Sequence, residues 1–181
     1  MPVYITLLRG INVGGKKKVK MDQLKEIFAS LGFRNVKTYI QSGNVIFAAV
    51  ESEGLAVQIE RKLKEELGFE VPVLIKTLGE WEKAIEQNPY DVEMLDENEK
   101  LHVTFLAEEP TTSVVENLMM IESDVDEIRI LGGTVYILCR NGYHKTLFSN
   151  AFIEKKLGVR ATTRNWNSVL KIADMSKALV Q

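Results

Sequence analysis

The chain has 181 residues, a net charge of −2, a hydrophobic fraction of 45% and a charged fraction of 27%. That balance is ordinary for a globular protein and excludes disordered and collagen-like classes. One cysteine, Cys139, cannot staple a domain, which excludes a disulfide scaffold and points to a reducing compartment. No apolar run approaches the roughly 20 residues that cross a bilayer, and Met1-Pro2-Val3-Tyr4 enters a strand-like segment without a basic start or cleavage site. The expectation is a cytoplasmic protein with no membrane partner.

Val3 to Leu8 is rich in β-branched and aliphatic residues and reads as a strand. Gly10 to Lys18 breaks the pattern, with Gly14-Gly15 forcing a loop. Met21, Leu24, Ile27/Phe28 and Leu31 recur at helical spacing, and Gly32 stops the helix. Val36 to Gln41 is a second strand, Ser42-Gly43-Asn44 a turn, and Val45-Ile46-Phe47 a third strand, together a hairpin. Leu55/Ala56, Ile59, Leu63 and Leu67 mark a second helix ending at Gly68, and Val71 to Lys76 is a fourth strand. The order β-α-β-β-α-β is the ferredoxin-like arrangement. Two helices would cover one face of its sheet and leave the other open.

Residues 77–99 read as a connector, with a short helix from Trp81 to Gln87 and an acidic loop from Asp91 to Glu99. The order then restarts. Leu101 to Leu106 is a strand, and Pro110-Thr111-Thr112 opens a helix to about Met120. Glu127 to Leu131 and Thr134 to Arg140 pair across Gly132-Gly133, and Asn150 to Leu157 is a helix closed by Gly158. The sixth element is not visible. Asn165 to Leu179 reads instead as a final helix, with Trp166, Val169/Leu170 and Ala173 on one face. The expected architecture is α+β: two tandem ferredoxin-like subdomains (1–76 and 100–181), packed as one pseudo-symmetric unit whose strands exchange or whose open faces pack together, plus a C-terminal helix.

Charge is uneven along the chain: +6 over residues 1–50, −14 over 51–130 and +6 over 131–181. Basic ends that meet in space would make one positive face.

Two histidines, His102 and His144, and one cysteine leave no zinc-ligand spacing, so no metal is expected. His144 near Ser149 is a weak nucleophile–base pair. Nothing calls for a cofactor, because Arg9-Gly10-Ile11-Asn12-Val13-Gly14-Gly15-Lys16-Lys17-Lys18 fits neither the Walker nor the dinucleotide pattern. It is still a glycine-rich, lysine-rich loop between a strand and a helix, which suits an anion. Gln41-Ser42-Gly43-Asn44 is turn chemistry first, with Gln41, Ser42 and Asn44 presenting amide and hydroxyl groups near the first loop, and Ser42 and Asn44 as groups to orient a ligand. Thr162-Thr163-Arg164-Asn165 would open the last helix, and an arginine in a first helical turn opposes the macrodipole unless it meets an acid or a bound anion.

Leu7-Leu8-Arg9-Gly10-Ile11-Asn12-Val13-Gly14-Gly15, Gln41-Ser42-Gly43-Asn44-Val45 and Ala161-Thr162-Thr163-Arg164-Asn165-Trp166-Asn167, with Val169 and Lys171, resemble a widespread bacterial family of about this length. It is known as a domain of unknown function. Lys145 and Ser149 fit its Lys/Ser-containing stretch. The resemblance implies tandem subdomains similar to RNA-recognition modules, with exchanged strands, and no activity.

Two functions of different class follow. One is binding of a phosphorylated or otherwise anionic small molecule or nucleotide between the halves, by Arg9, Asn12, Lys16, Lys18, Ser42, Asn44, Arg164 and Asn165. The other is a nucleic-acid-binding module that stacks bases on Tyr4, Tyr39 and Phe47. A third reading makes the acidic loop a docking segment for a partner.

Overall fold

The computed structural model describes residues 1–50 and 53–180. The chain forms two compact units, Met1–Glu82 with Lys171–Gln181, and Lys83–Leu170.

The first unit runs β1 (Val3–Leu8), α1 (Met21–Ser30), β2 (Arg34–Tyr39), β3 (Asn44–Ala48), α2 (Leu55–Leu67) and β4 (Val73–Thr77). Its strands lie in the order β2-β3-β1-β4, every neighbouring pair antiparallel. Side chains alternate across a strand. Tyr4 and Leu8 of β1, Val45 and Phe47 of β3 and Val73 of β4 therefore meet Leu24, Phe28, Ile59 and Leu63 of the two helices in one core. Ile5, Leu7 and Ile46 point to the opposite face and are fully buried as well. Burial on both faces explains why β1 and β3 read as unbroken apolar runs rather than alternating ones.

The second unit carries β5 (Lys100–Leu106), α4 (Thr112–Met119), β6 (Glu127–Leu131), β7 (Thr134–Cys139), α5 (Asn150–Leu157) and β8 (Ala161–Asn165). Its sheet has the order β6-β7-β5-β8. Leu106, Leu118, Val135, Ile137, Ile153 and Leu157 form its helix-side core. Both halves are thus ferredoxin-like, and each sheet takes its four strands from its own half, so among the described residues no strand is exchanged.

The register makes the duplication explicit. Leu8 pairs with Val73 and Ile5 with Lys76 in the first sheet; Leu106 pairs with Ala161 and Val103 with Arg164 in the second. Each sheet is followed by one more helix, α3 (Leu78–Glu86) after β4 and α6 (Trp166–Ala178) after β8. Thr77 and Glu80 cap α3 reciprocally: the Thr77 amide donates to the Glu80 carboxylate, and the Glu80 amide donates to Thr77 Oγ1. Asn165 caps α6, its Oδ1 accepting from the Ser168 amide at 2.8 Å.

These junctions correct the sequence reading in two places. The sixth element of the second half exists: Ala161–Asn165 is β8, a strand hidden by its polar composition. Arg164 therefore sits on a strand, not in a first helical turn, and its supposed conflict with the helix dipole disappears. Trp166 is only half-buried and Leu170 is exposed, whereas Val169, Ile172, Ala173 and Ser176 are buried. Among the described residues no helix is long and apolar enough to cross a membrane.

Candidate ligand-binding site

The loop from β1 to α1, residues 9–20, folds as a small pinned structure. Asn12 clamps it. Its Oδ1 accepts from the Val19 amide at 2.8 Å, while its Nδ2 donates to the Val19 carbonyl at 3.1 Å and to the Gln41 carbonyl at 2.9 Å. The Asn12 amide donates to the Lys17 carbonyl, and the Lys16 amide to the Val13 carbonyl. Lys17 reaches the Glu70 carbonyl at 3.2 Å and lies over the Phe69 ring. Lys16 and Lys18 stay exposed.

The β2–β3 turn docks against the base of this loop. Leu8 donates its amide to the Gly43 carbonyl at 2.9 Å. Gly43 has φ +91, and a Cβ there would lie 2.7 Å from Ile11 Cδ1, so glycine is required on both counts. Asn44 is fully buried; its Nδ2 donates to the Tyr39 carbonyl at 2.8 Å and to Ser42 Oγ at 3.2 Å. It closes the turn instead of facing solvent. Asn12, Lys17 and Ile40 all have left-handed backbone conformations, with φ of 55, 50 and 51. Such angles are uncommon outside glycine and tend to gather at functional sites.

Between the loop and α1 lies a cleft of about 880 Å³, whose wall includes Asn12, Lys18, Lys20, Asp22, Gln23 and Gln41. Helix α1 opens into it without a side-chain cap, because the residue at its N-cap is Lys20. Its entry angle is set by apolar packing: Val19 and Leu24, one residue before the cap and four after, are both buried in the same core. Two lysines outnumber the one carboxylate of this wall, Asp22, and the uncapped first-turn N–H groups add to the positive side. Of the residues singled out from the sequence, Asn12, Lys18 and Gln41 line the cleft. Lys20, Asp22 and Gln23 escaped notice, although a lysine where Ser, Thr or Asp usually caps is a readable anomaly.

Arg164 and Asn165 lie in the second unit. Arg164 points to the sheet face opposite α4 and α5, donates from Nη1 to the Thr163 carbonyl at 2.9 Å, and is desolvated enough to bring its pKa down to about 10. It stays charged at neutral pH. Lys76, its counterpart in the first half, is likewise lowered by burial, with Glu80 opposing the shift. Asn165 lines a second cleft, of about 490 Å³, beside Asp96, Glu97 and Glu99. Those three acids outnumber Lys100 in the same lining and disfavour an anion. Ser149 is spent on capping α5, accepting from the Phe152 amide.

Tyr4 and Phe47 stack on each other at 5.7 Å inside the helix-side core. They are not presented for stacking on bases. Burial, helped by Asp126, pushes the Cys139 thiol up to about 11, which leaves it protonated and unreactive. Among the described residues no three His, Cys, Asp or Glu side chains lie together as a metal-ligand set.

A family model described as a protein of unknown function, DUF1697, matches residues 1–136. The structure of a conserved bacterial protein, SP0830 from Streptococcus pneumoniae, is similar over 97% of this chain and 98% of that one, at 23% identity with a TM-score of 0.66. That likeness shows the fold. No curated protein matches.

Proposed function

The chain belongs to the DUF1697 family of proteins of unknown function, and we propose that it binds a small phosphorylated or otherwise anionic ligand in the cleft beside the β1–α1 loop. The observation that carries this reading is the contrast between the two halves. In the second half the same strand-to-helix junction takes only residues 107–111, and the same hairpin turn only Gly132-Gly133. The first half spends residues 9–20 and 40–43 on these two junctions. Closing the fold does not need the extra length, and the extra residues build the wall of the cleft. Long, strained connections on a rigid scaffold are where binding residues collect.

Lys18 and Lys20 supply charge, and the open amides of α1 supply directed donors. Asn12 holds the wall in place. Arg9, Lys16 and Ser42 flank these positions in sequence and belong to the same loop and turn. The reading is binding rather than catalysis. A cytoplasmic setting goes with it, since the lone thiol is buried and unpaired with another cysteine.

A thermal-shift titration with phosphate, sugar phosphates and nucleotides tests the proposal. A ligand at about 100 times its dissociation constant stabilises the fold by about 2.7 kcal/mol. The shift is expected in the wild type and absent in Lys18→Ala/Lys20→Ala. A wild type that unfolds cooperatively with no shift from any of these anions refutes the site.

A further inference from the structure

The two sheets treat their corresponding outer strands differently. β2 is the outer strand of the first sheet, and it is blunted. Its register breaks between Arg34 and Lys37, Asn35 sits at φ 54 within the break, and Arg34 and Lys37 are exposed. A bulge and exposed cations are standard protection against edge-to-edge pairing. β6 occupies the corresponding place in the second sheet and lacks the bulge, and its one exposed cation, Arg129, alternates with the carboxylate Glu127 on the same face. It pairs with β7 without interruption from Glu127↔Leu138 to Leu131↔Thr134, and it contains no lysine and no proline. Among the described residues the sheet order places no strand beyond it.

The side chains of this edge form a self-complementary row. Ile128 and Ile130 turn to the helix-side core. Glu127, Arg129 and Leu131 share the other face, and Val125 lies in the bend just before the strand. Val125 is 38% and Leu131 39% exposed. A two-fold axis through Ile128, perpendicular to the sheet, would set Val125 opposite Leu131 and Glu127 opposite Arg129, each pair twice. Moving the axis to Glu127 or to Arg129 puts like charges face to face, so of these three central registers only the one about Ile128 matches opposite charges. Glu127 gives one carboxylate oxygen to Arg140, leaving Oε1 for Arg129 of the second copy. An isologous interface needs this kind of reciprocity. On the core face, Asp126 comes opposite Ile130, its carboxylate already turned inward to accept from the Arg140 amide.

We propose that β6 is a homodimer interface, two copies pairing antiparallel about Ile128 into one continuous eight-stranded sheet. The exposed apolar pair and the alternating charges recognise a second copy of this chain. This rests on β6 alone and is independent of the anion cleft.

Sedimentation velocity over a concentration series reads it out. The wild type is expected to pass from monomer to dimer as concentration rises to about 100 µM, a modest affinity fitting one short strand pair. Arg129→Glu and, separately, Leu131→Lys replace exposed side chains and are expected to leave a folded monomer throughout. Mixing Arg129→Glu with Glu127→Arg restores both ion pairs and is expected to return a heterodimer. Where Glu127→Arg does not fold, because Arg140 loses one of its acceptors and gains a like charge beside it, hydrogen exchange of the wild type decides: amides of residues 127–131 gain protection with concentration. A wild type monomeric across the series, a dimer that survives Arg129→Glu, or exchange at β6 that ignores concentration each overturns the proposal.

Discussion

Ile40 carries the least comfortable backbone of the first unit. It is β-branched, held at φ 51, and 44% exposed. A left-handed conformation costs an ordinary residue about 1–2 kcal/mol, and the partial burial of its side chain offsets only some of that. Asparagine tolerates the region because its short amide bonds locally. Ile40→Asn is therefore expected to raise the unfolding free energy by about 1 kcal/mol in urea titration. A loss of stability would show that the exposed isoleucine packs better than its surface suggests. Nothing in the sequence marked Ile40, because the strain belongs to a turn whose path is set by Gly43 fitting against Ile11 and Leu8.

The β1–α1 loop behaves as one piece because Asn12 ties it twice to Val19 and twice to Gln41, through the Gln41 carbonyl and its side-chain oxygen. Asn12→Ala removes those bonds and places alanine at φ 55. The expected cost is about 2 kcal/mol in denaturant unfolding, with anion binding weakened although no charge has been removed. Unchanged stability would mean that the glycines and Lys17 hold the loop alone. The glycine and lysine pattern located this loop correctly in the sequence. The role of Asn12 as a clamp and of Asn44 as a buried turn-closer was not legible. Both depend on where the neighbouring carbonyls of Val19, Gln41 and Tyr39 come to lie. β8 was missed for a related reason. Thr162, Thr163, Arg164 and Asn165 carry no apolar alternation, and only pairing with β5 makes them a strand.

At the scale of the whole molecule, the chain does not divide into two consecutive pieces. Residues 171–181 belong to the first unit, together with Met1–Glu82. Ile172, Ala173 and Ser176 are buried there, and burying an isoleucine side chain contributes about 1.5–3 kcal/mol. A fragment of residues 1–82 is expected to lack a cooperative thermal transition and to regain one with a peptide of residues 166–181. A fragment that melts sharply without the peptide would show that the C-terminal segment is dispensable to the first unit.

Periodicity, glycine stops and hairpin turns determined from the sequence alone that the protein repeats a ferredoxin-like order, since helical and strand spacings are local properties. The same local signals placed the glycine- and lysine-rich loop after the first strand. Tertiary structure alone decided which groups that loop spends on holding itself together, which lysines it leaves facing a cleft, and that a polar segment completes the second sheet. Those outcomes depend on partners far apart in the chain, such as Asn12 with Gln41 and Val103 with Arg164, and a residue's own neighbours in sequence carry no record of them.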